Sequence, residues 1–348
     1  MTCISRDRTV AVEKLLSVIL EQSLTDLEHA LPGSLQVLRL AAAIPPDTIP
    51  WPWLEELTKR TNPEVFEPTP QFLKGRWTRI RRTLEGRDLI TEGRHPGTTG
   101  RMHRLVADHI KTQNPQETDL VNDFIIQRAQ KLGTDFTQAP ELWEIDSITD
   151  ALPDILTRKP ELLEQIPDFI CHVALRYVTD TRITAMLQNL ARRLSNINIQ
   201  TRYLTHILLG DSLRNVEPIK ASENYKKSLN IIRDLAKDSP DDPWILQNLA
   251  VSLDNTSDML HSTDPERALK QYRESLSIRR DLTKVRSGDL RIKWGIAVSL
   301  SNIADIVRNT DPEQALTLYQ ESLTILRDLA ETQPNDLRTR RDLTVSLD

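Results

Sequence analysis

The segment Asp264–Thr283, DPERALKQYRESLSIRRDLT, returns 47 residues later as Asp311–Ala330, DPEQALTLYQESLTILRDLA, with thirteen of twenty positions identical. One interval earlier lies Glu217–Ala236, EPIKASENYKKSLNIIRDLA, which keeps Pro218, Ala221, Tyr225, Ser228, Leu229, Ile231, Arg233, Asp234 and Leu235. The segment that precedes each copy obeys the same interval, as AVSLDN from residue 250, AVSLSN from 297 and TVSLD from 344. Three repeats of 47 residues are therefore expected over 198–348, with a fourth begun before Asp348. Periods of this size mark units that bury their apolar faces only by stacking on their neighbours.

Each repeat reads as two helices. Asp311-Pro312 supplies an N-cap and a proline at the first helical position. Behind it Ala315, Leu318, Tyr319, Ser322, Leu323, Leu326 and Leu329 fall three or four residues apart, one apolar or small stripe. The preceding segment, Ile296 to Val307, carries its own stripe through Leu300 and Ile303. Pro240, Pro243 and Pro334 mark the joins.

These residues resemble the tetratricopeptide repeat. That pattern asks for a small residue at its eighth position, here Gly210, Ser257 and Ala304. It asks for small then aromatic residues on the second helix, here Ala221/Tyr225, Ala268/Tyr272 and Ala315/Tyr319. The period of 47 departs from the family's 34 and implies longer helices, as in the kinesin light chain type. The turn between the helices is also one residue shorter than the consensus.

Residues 1–115 follow another plan. Helices are expected over Thr9–Gln22, Gly33–Ile44, Pro52–Arg60 and Pro70–Leu84. Strands Leu89–Thr91 and Arg101–His103 flank the turn GRHPGTTG and read as a hairpin. Helices followed by a hairpin are the order of a winged helix, a relative of helix-turn-helix modules. The words LQVLRLAAAIPPDTIPWPWL, RTLEGRDLI and RMHRLV resemble the winged-helix domain of NB-ARC (STAND-class) signalling ATPases, whose bacterial members continue into tetratricopeptide repeats. The resemblance implies a nucleotide-sensing role for His103 through a Met-His-Asp motif, although Arg104 stands where the family has Asp. It covers only the C-terminal half of such a protein, because the ATPase domain has no counterpart. A phosphate loop needs Gly-Lys, and no such pair occurs. Residues 116–197 read as a helical connector, with helical spacing at Asp119–Leu132, Ser147–Leu156, Leu162–Tyr177 and Ile183–Leu194 and breaks at Pro140, Pro153, Pro160 and Pro167.

Composition narrows the function. Ten glycines in 348 residues are too few for a dinucleotide-binding sheet or an all-β sandwich, since average usage is about 7%. The reading is a mostly helical chain: winged helix, connector and α-solenoid. Cys3 and Cys171 cannot build a disulfide framework or a zinc site. The seven histidines show no metal-ligand spacing. Cys171-His172 lacks an orienting partner for a nucleophile and reads as buried helix. Leu15–Leu20 is too short for a signal peptide or membrane span. The expected function is thus a cytoplasmic, non-enzymatic scaffold or sensor arm for protein–protein interaction, with no cofactor, no metal and no membrane partner.

Two candidate surfaces follow. Between Lys74 and Arg104 nine Lys or Arg face three acids, so Lys74, Arg81 and Arg82 are candidates for contact with DNA phosphates or with an acidic protein surface. That supports an alternative function, a winged-helix DNA-binding regulator with a repeat sensor, though DNA is the less expected partner. In the repeats, the tetratricopeptide resemblance implies that Asp211, Arg214, Asp254, Asp258, His261, Asp305 and Arg308 face the concave groove from the first helices. A strip carrying four aspartates suits a protein or peptide presenting Lys or Arg. The competing reading makes these aspartates internal caps or arginine partners.

Overall fold

The computed structural model describes residues 18–68, 75–134, 141–177, 179–194 and 197–332. The fold is mostly helical, and the chain divides into two compact units, Met1–Val173 and Ala174–Asp348. The expected connector 116–197 is therefore shared between them.

In the first unit helix α1 covers residues 18–30, running past the Gln22 end expected for it, while residues 9–17 of that expected helix lie outside the described ones; α2 spans Ser34–Ala43. The carboxylate of Glu28 accepts from the backbone N–H of Gly33 and of Leu35, both at 2.8 Å, so it caps the start of α2. Strand β1 (Ile49–Pro50) leads into α3 (Trp51–Thr61), a short 3-10 turn (Pro63–Phe66) and α4 (Arg76–Gly86). Of the helix expected over Pro70–Leu84, residues 70–74 lie outside the described ones, and α4 begins at Arg76, directly after Gly75, whose φ of 82° lies in the left-handed region and interrupts the expected run.

Strands β2 (Thr91–Glu92) and β3 (Thr99–Arg101) form a hairpin closer to the turn than the expected Leu89–Thr91 and Arg101–His103, pairing Thr91 with Arg101 and Glu92 with Gly100. Strand β1 adds to the other edge of β3, giving the antiparallel order β1-β3-β2. Gly100 is required at the centre, because a Cβ there would lie 2.3 Å from Cγ2 of Ile90. Met102 and His103 fall beyond the strand, and His103 instead caps α5 (Arg104–Gln113). Helices α6 (Pro115–Thr134) and α7 (Leu142–Arg158) follow, then a 3-10 turn (Pro160–Gln165) and α8 (Pro167–Arg176).

Pro153 does not break α7; the helix runs through it. A helix-interior proline costs about 3 kcal/mol, and the buried side chains of Ile148, Leu152 and Ile155 on the same helix offset it. Trp53 joins three of these helices. Its ring meets Phe124 and Trp143 edge-on at 5.9 and 6.3 Å, and its Nε1–H donates to the buried Glu144 at 3.2 Å. Arg128 Nε–H donates to the same carboxylate at 2.6 Å.

The second unit comprises α9 (Thr181–Ala191) and three helix pairs: α10 (Ile199–Leu213) with α11 (Pro218–Asp238), α12 (Pro243–Leu260) with α13 (Pro265–Val285), and α14 (Leu290–Val307) with α15 (Pro312–Thr332). The second helices are each 21 residues long and begin 47 apart, as the sequence period demands. Each packs on its own partner, and α11 and α13 also pack on the first helix of the next pair. Asp242, Asp264 and Asp289 cap α12, α13 and α14 by accepting backbone N–H groups. Ala221, Ala268 and Ala315 are buried where each pair closes. The TVSLD segment from residue 344 lies outside the described residues.

Candidate functional site

The small residue on each first helix is followed by an aspartate, and that aspartate reaches across to the second helix. Asp211 accepts from the hydroxyl of Tyr225 at 2.8 Å, Asp258 from Tyr272 at 2.5 Å and Asp305 from Tyr319 at 2.5 Å. The Tyr225 and Tyr272 rings are buried, so the phenols are core groups whose polar tips need an acceptor. Burial, with the adjacent carboxylate, pushes all three phenols above their ordinary range, Tyr319 to about 12. Burial also raises Asp211, against the opposing hydrogen bond from Tyr225.

Asp258 does more than its counterparts. Its Oδ2 accepts from Arg214 Nη2 at 2.6 Å, one repeat back, and its Oδ1 receives Asn302 Nδ2 at 3.5 Å, one repeat forward. A single half-buried carboxylate therefore ties three repeats together. Such networks hold register when every member is satisfied.

Asp254 is not part of an open strip. It meets Arg279 Nη1 at 2.5 Å, and the arginine side chain is 3% exposed. The same nitrogen lies 2.6 Å from Ser275 Oγ and 2.8 Å from Ser299 Oγ. Burial raises Asp254 from the ordinary carboxylate value, and Arg279 works against that rise. Periodicity did not single out Arg279. Its signal was a break in register: Ile232 and Leu326 occupy the same place in the other repeats, so a charge there must find a buried partner.

The residues expected in the groove thus separate into two groups. Asp211, Asp254 and Asp258 are engaged between the helices of the repeats, and the exposed Arg214 pairs with Asp258. Asp305 and Arg308 are exposed, and His261 is half-buried. The internal role weighed for the aspartates accounts for the geometry of the first group.

In the first unit, Lys74 lies outside the described residues. Arg81 is held internally: its guanidinium lies 4.8 Å from the centre of the Trp51 ring, pairs with Glu85 at 2.9 Å and donates to the Gly97 carbonyl at 3.0 Å. Arg82 is exposed. Trp51 and Arg81 line an open cleft of 320 Å³ whose other walls include Glu85, Asp88 and Glu92. His103 is exposed, and its Nδ1 accepts from the Leu105 N–H at 3.3 Å. The hairpin turn is tied to α7 through His95 and Asp146, 3.0 Å apart, and through Arg94 and Asp150, 3.5 Å apart.

Among the described residues, no three His, Cys, Asp or Glu side chains converge in a way that holds a metal, and no helix is long and apolar enough to cross a membrane. No protein-family model matches the chain, and no curated protein is significantly similar to it.

Proposed function

We propose that this chain is a non-catalytic protein-interaction scaffold or sensor arm, a winged-helix-like unit joined to tetratricopeptide-like repeats that capture a protein segment presenting Lys or Arg. The observation that carries the reading is the 47-residue register of paired helices, with small and aromatic residues meeting where each pair closes. Asp258 links three successive repeats through Arg214 and Asn302, and a surface ordered before binding pays a smaller ordering cost. The exposed Asp305 offers the open carboxylate for a basic side chain.

Duplex DNA is the less favoured partner. Arg81 is engaged with Trp51, Glu85 and Gly97, and the acids rimming that cleft repel phosphate. The relation to NB-ARC-type ATPases belongs to the same proposal, and it rests on the RMHRLV segment and the domain order.

The test is binding of a labelled Lys/Arg-rich peptide by fluorescence anisotropy at low and physiological salt. Asp305→Asn removes the open charge, whereas Tyr319→Phe removes the same internal hydrogen bond and leaves the carboxylate. Capture weakened by the first and kept by the second supports the reading. Capture indifferent to both, or no capture at low salt, overturns it.

A further inference from the structure

The second helices of the repeats do not share one charge. Helix α11 carries five basic and three acidic residues, α13 six and three, and α15 one and four. At the registers of Lys226/Arg273 and Lys237/Lys284, α15 has Gln320 and Glu331. The difference is therefore confined to the first two repeats of a chain whose net charge is −5.

Part of this charge is spent internally. Arg233 pairs with Glu274 at 3.1 Å, which sets the last third of α11 against the middle of α13, and Lys237 and Lys284 pair with Asp234 and Asp281. Lys226, Lys227, Lys270 and Arg273 are exposed and make no ion pair among the described residues. Glu223 and Glu266 are the exposed acids alongside them. Just before α11 and at its start stand two aliphatic side chains out of place. Val216 and Ile219 are each 78% exposed, where the later repeats carry Thr263 with Glu266 and Thr310 with Glu313. Ile219 and Lys226 are two helical turns apart, so they share a face.

We propose that the face shared by α11 and α13 is a second docking surface, taking an acidic amphipathic helix of a partner protein. Val216 and Ile219 receive its apolar side chains, and Lys226, Lys227, Lys270 and Arg273 receive its carboxylates. A protein suits this face better than a nucleic acid. Exposed aliphatics gain nothing from phosphate, and the tyrosines of both helices are buried, so no ring is offered to a base. Cations flanking an apolar anchor steer encounter, while the anchor sets residence. This surface does not depend on the reading of Asp305.

The experiment uses the full chain and a labelled helical peptide with Glu and Leu on adjoining faces, a scrambled peptide of the same composition, and a short DNA duplex. The amphipathic peptide is expected to bind best at physiological salt. Both Val216→Thr/Ile219→Glu, which installs residues the other repeats carry, and Lys226→Glu/Lys270→Glu/Arg273→Glu are expected to weaken it by about tenfold or more, equivalent to roughly 1.4 kcal/mol. Asp305→Asn leaves it unchanged, and thermal melting checks that all variants fold. No binding of the amphipathic peptide, equal binding of the scrambled one, indifference to either surface variant, or tighter binding of the duplex overturns the proposal.

Discussion

Asp254 and Arg279 are 25 residues apart and meet at 2.5 Å in the middle repeat, at the two positions that Ile207 and Ile232 occupy in the first. One repeat thus buries an ion pair where its neighbour buries two aliphatics. Removing one partner of a buried pair strands a charge and costs about 3–5 kcal/mol, whereas replacing both with apolar groups is often neutral or stabilising by roughly 1–4 kcal/mol. Asp254→Ile and Arg279→Ile are each expected to destabilise strongly, and the double variant to regain wild-type stability or exceed it. Urea denaturation of all four chains completes the cycle. A double variant as unstable as the singles shows that the pair contributes more than its charges.

Gly210 aligns with Ser257 and Ala304, so the sequence alone suggests that alanine is harmless there and even helps the helix by about 1 kcal/mol. The structure points the other way. A Cβ at 210 would lie 2.5 Å from Cε1 of the buried Tyr225 ring. Gly210→Ala is expected to cost about 1–3 kcal/mol through overpacking. A melting midpoint that holds or rises refutes this.

The repeats were legible because each signal occurs three times at one register: Ala221, Ala268 and Ala315, then Tyr225, Tyr272 and Tyr319, in helices long enough to show their period. Strand β1 was not, since two residues, Ile49 and Pro50, are too few to display alternation. Nor was the break at Gly75 ahead of α4, which depends on its φ, or the continuation of α7 through Pro153, which depends on tertiary packing. At the candidate site, periodicity placed Asp211, Asp258 and Asp305 correctly on one register. It did not show that tyrosine hydroxyls already occupy them, because those partners sit on the following helix. Arg279 was hidden for the opposite reason, as a single exception inside a regular pattern.

Four of the five tyrosines, at 203, 225, 272 and 319, hold their protons more tightly in the folded chain than the ordinary value of about 10. Burial is the main cause in each. A raised folded value means that the folded state binds more protons in this window. The stabilisation is therefore complete below about pH 10 and is lost as pH rises through the folded values. Tyrosinate absorbance is expected to lag that of the urea-unfolded chain between about pH 10 and 12, and then to appear together with loss of helical circular dichroism. Ionisation of all five tyrosines near pH 10 with helix intact refutes the arrangement.

Arg81 and Arg82 are neighbours on α4 with opposite assignments, and this separates fold from nucleic-acid binding. Arg81 lies over Trp51 and donates to the Gly97 carbonyl, an internal staple between helix and hairpin. A cation–π contact adds about 0.5–1 kcal/mol and a charged hydrogen bond about 1.5–3 kcal/mol. Arg81→Ala is therefore expected to lower the stability of the first unit by roughly 1–3 kcal/mol. Arg82 is exposed, and Arg82→Ala is expected to stay within about 0.5 kcal/mol of wild type. Binding to duplex DNA should be weak and indifferent to sequence, with the salt slope reduced by about 0.9 for every phosphate no longer engaged. Arg82→Glu should free about one phosphate, while Arg81→Ala should leave the slope unchanged. The measurements are denaturation and a salt series of DNA titrations on the same three variants. A sequence-selective footprint that persists at physiological salt and vanishes with Arg82→Glu would place the regulator ahead of the scaffold.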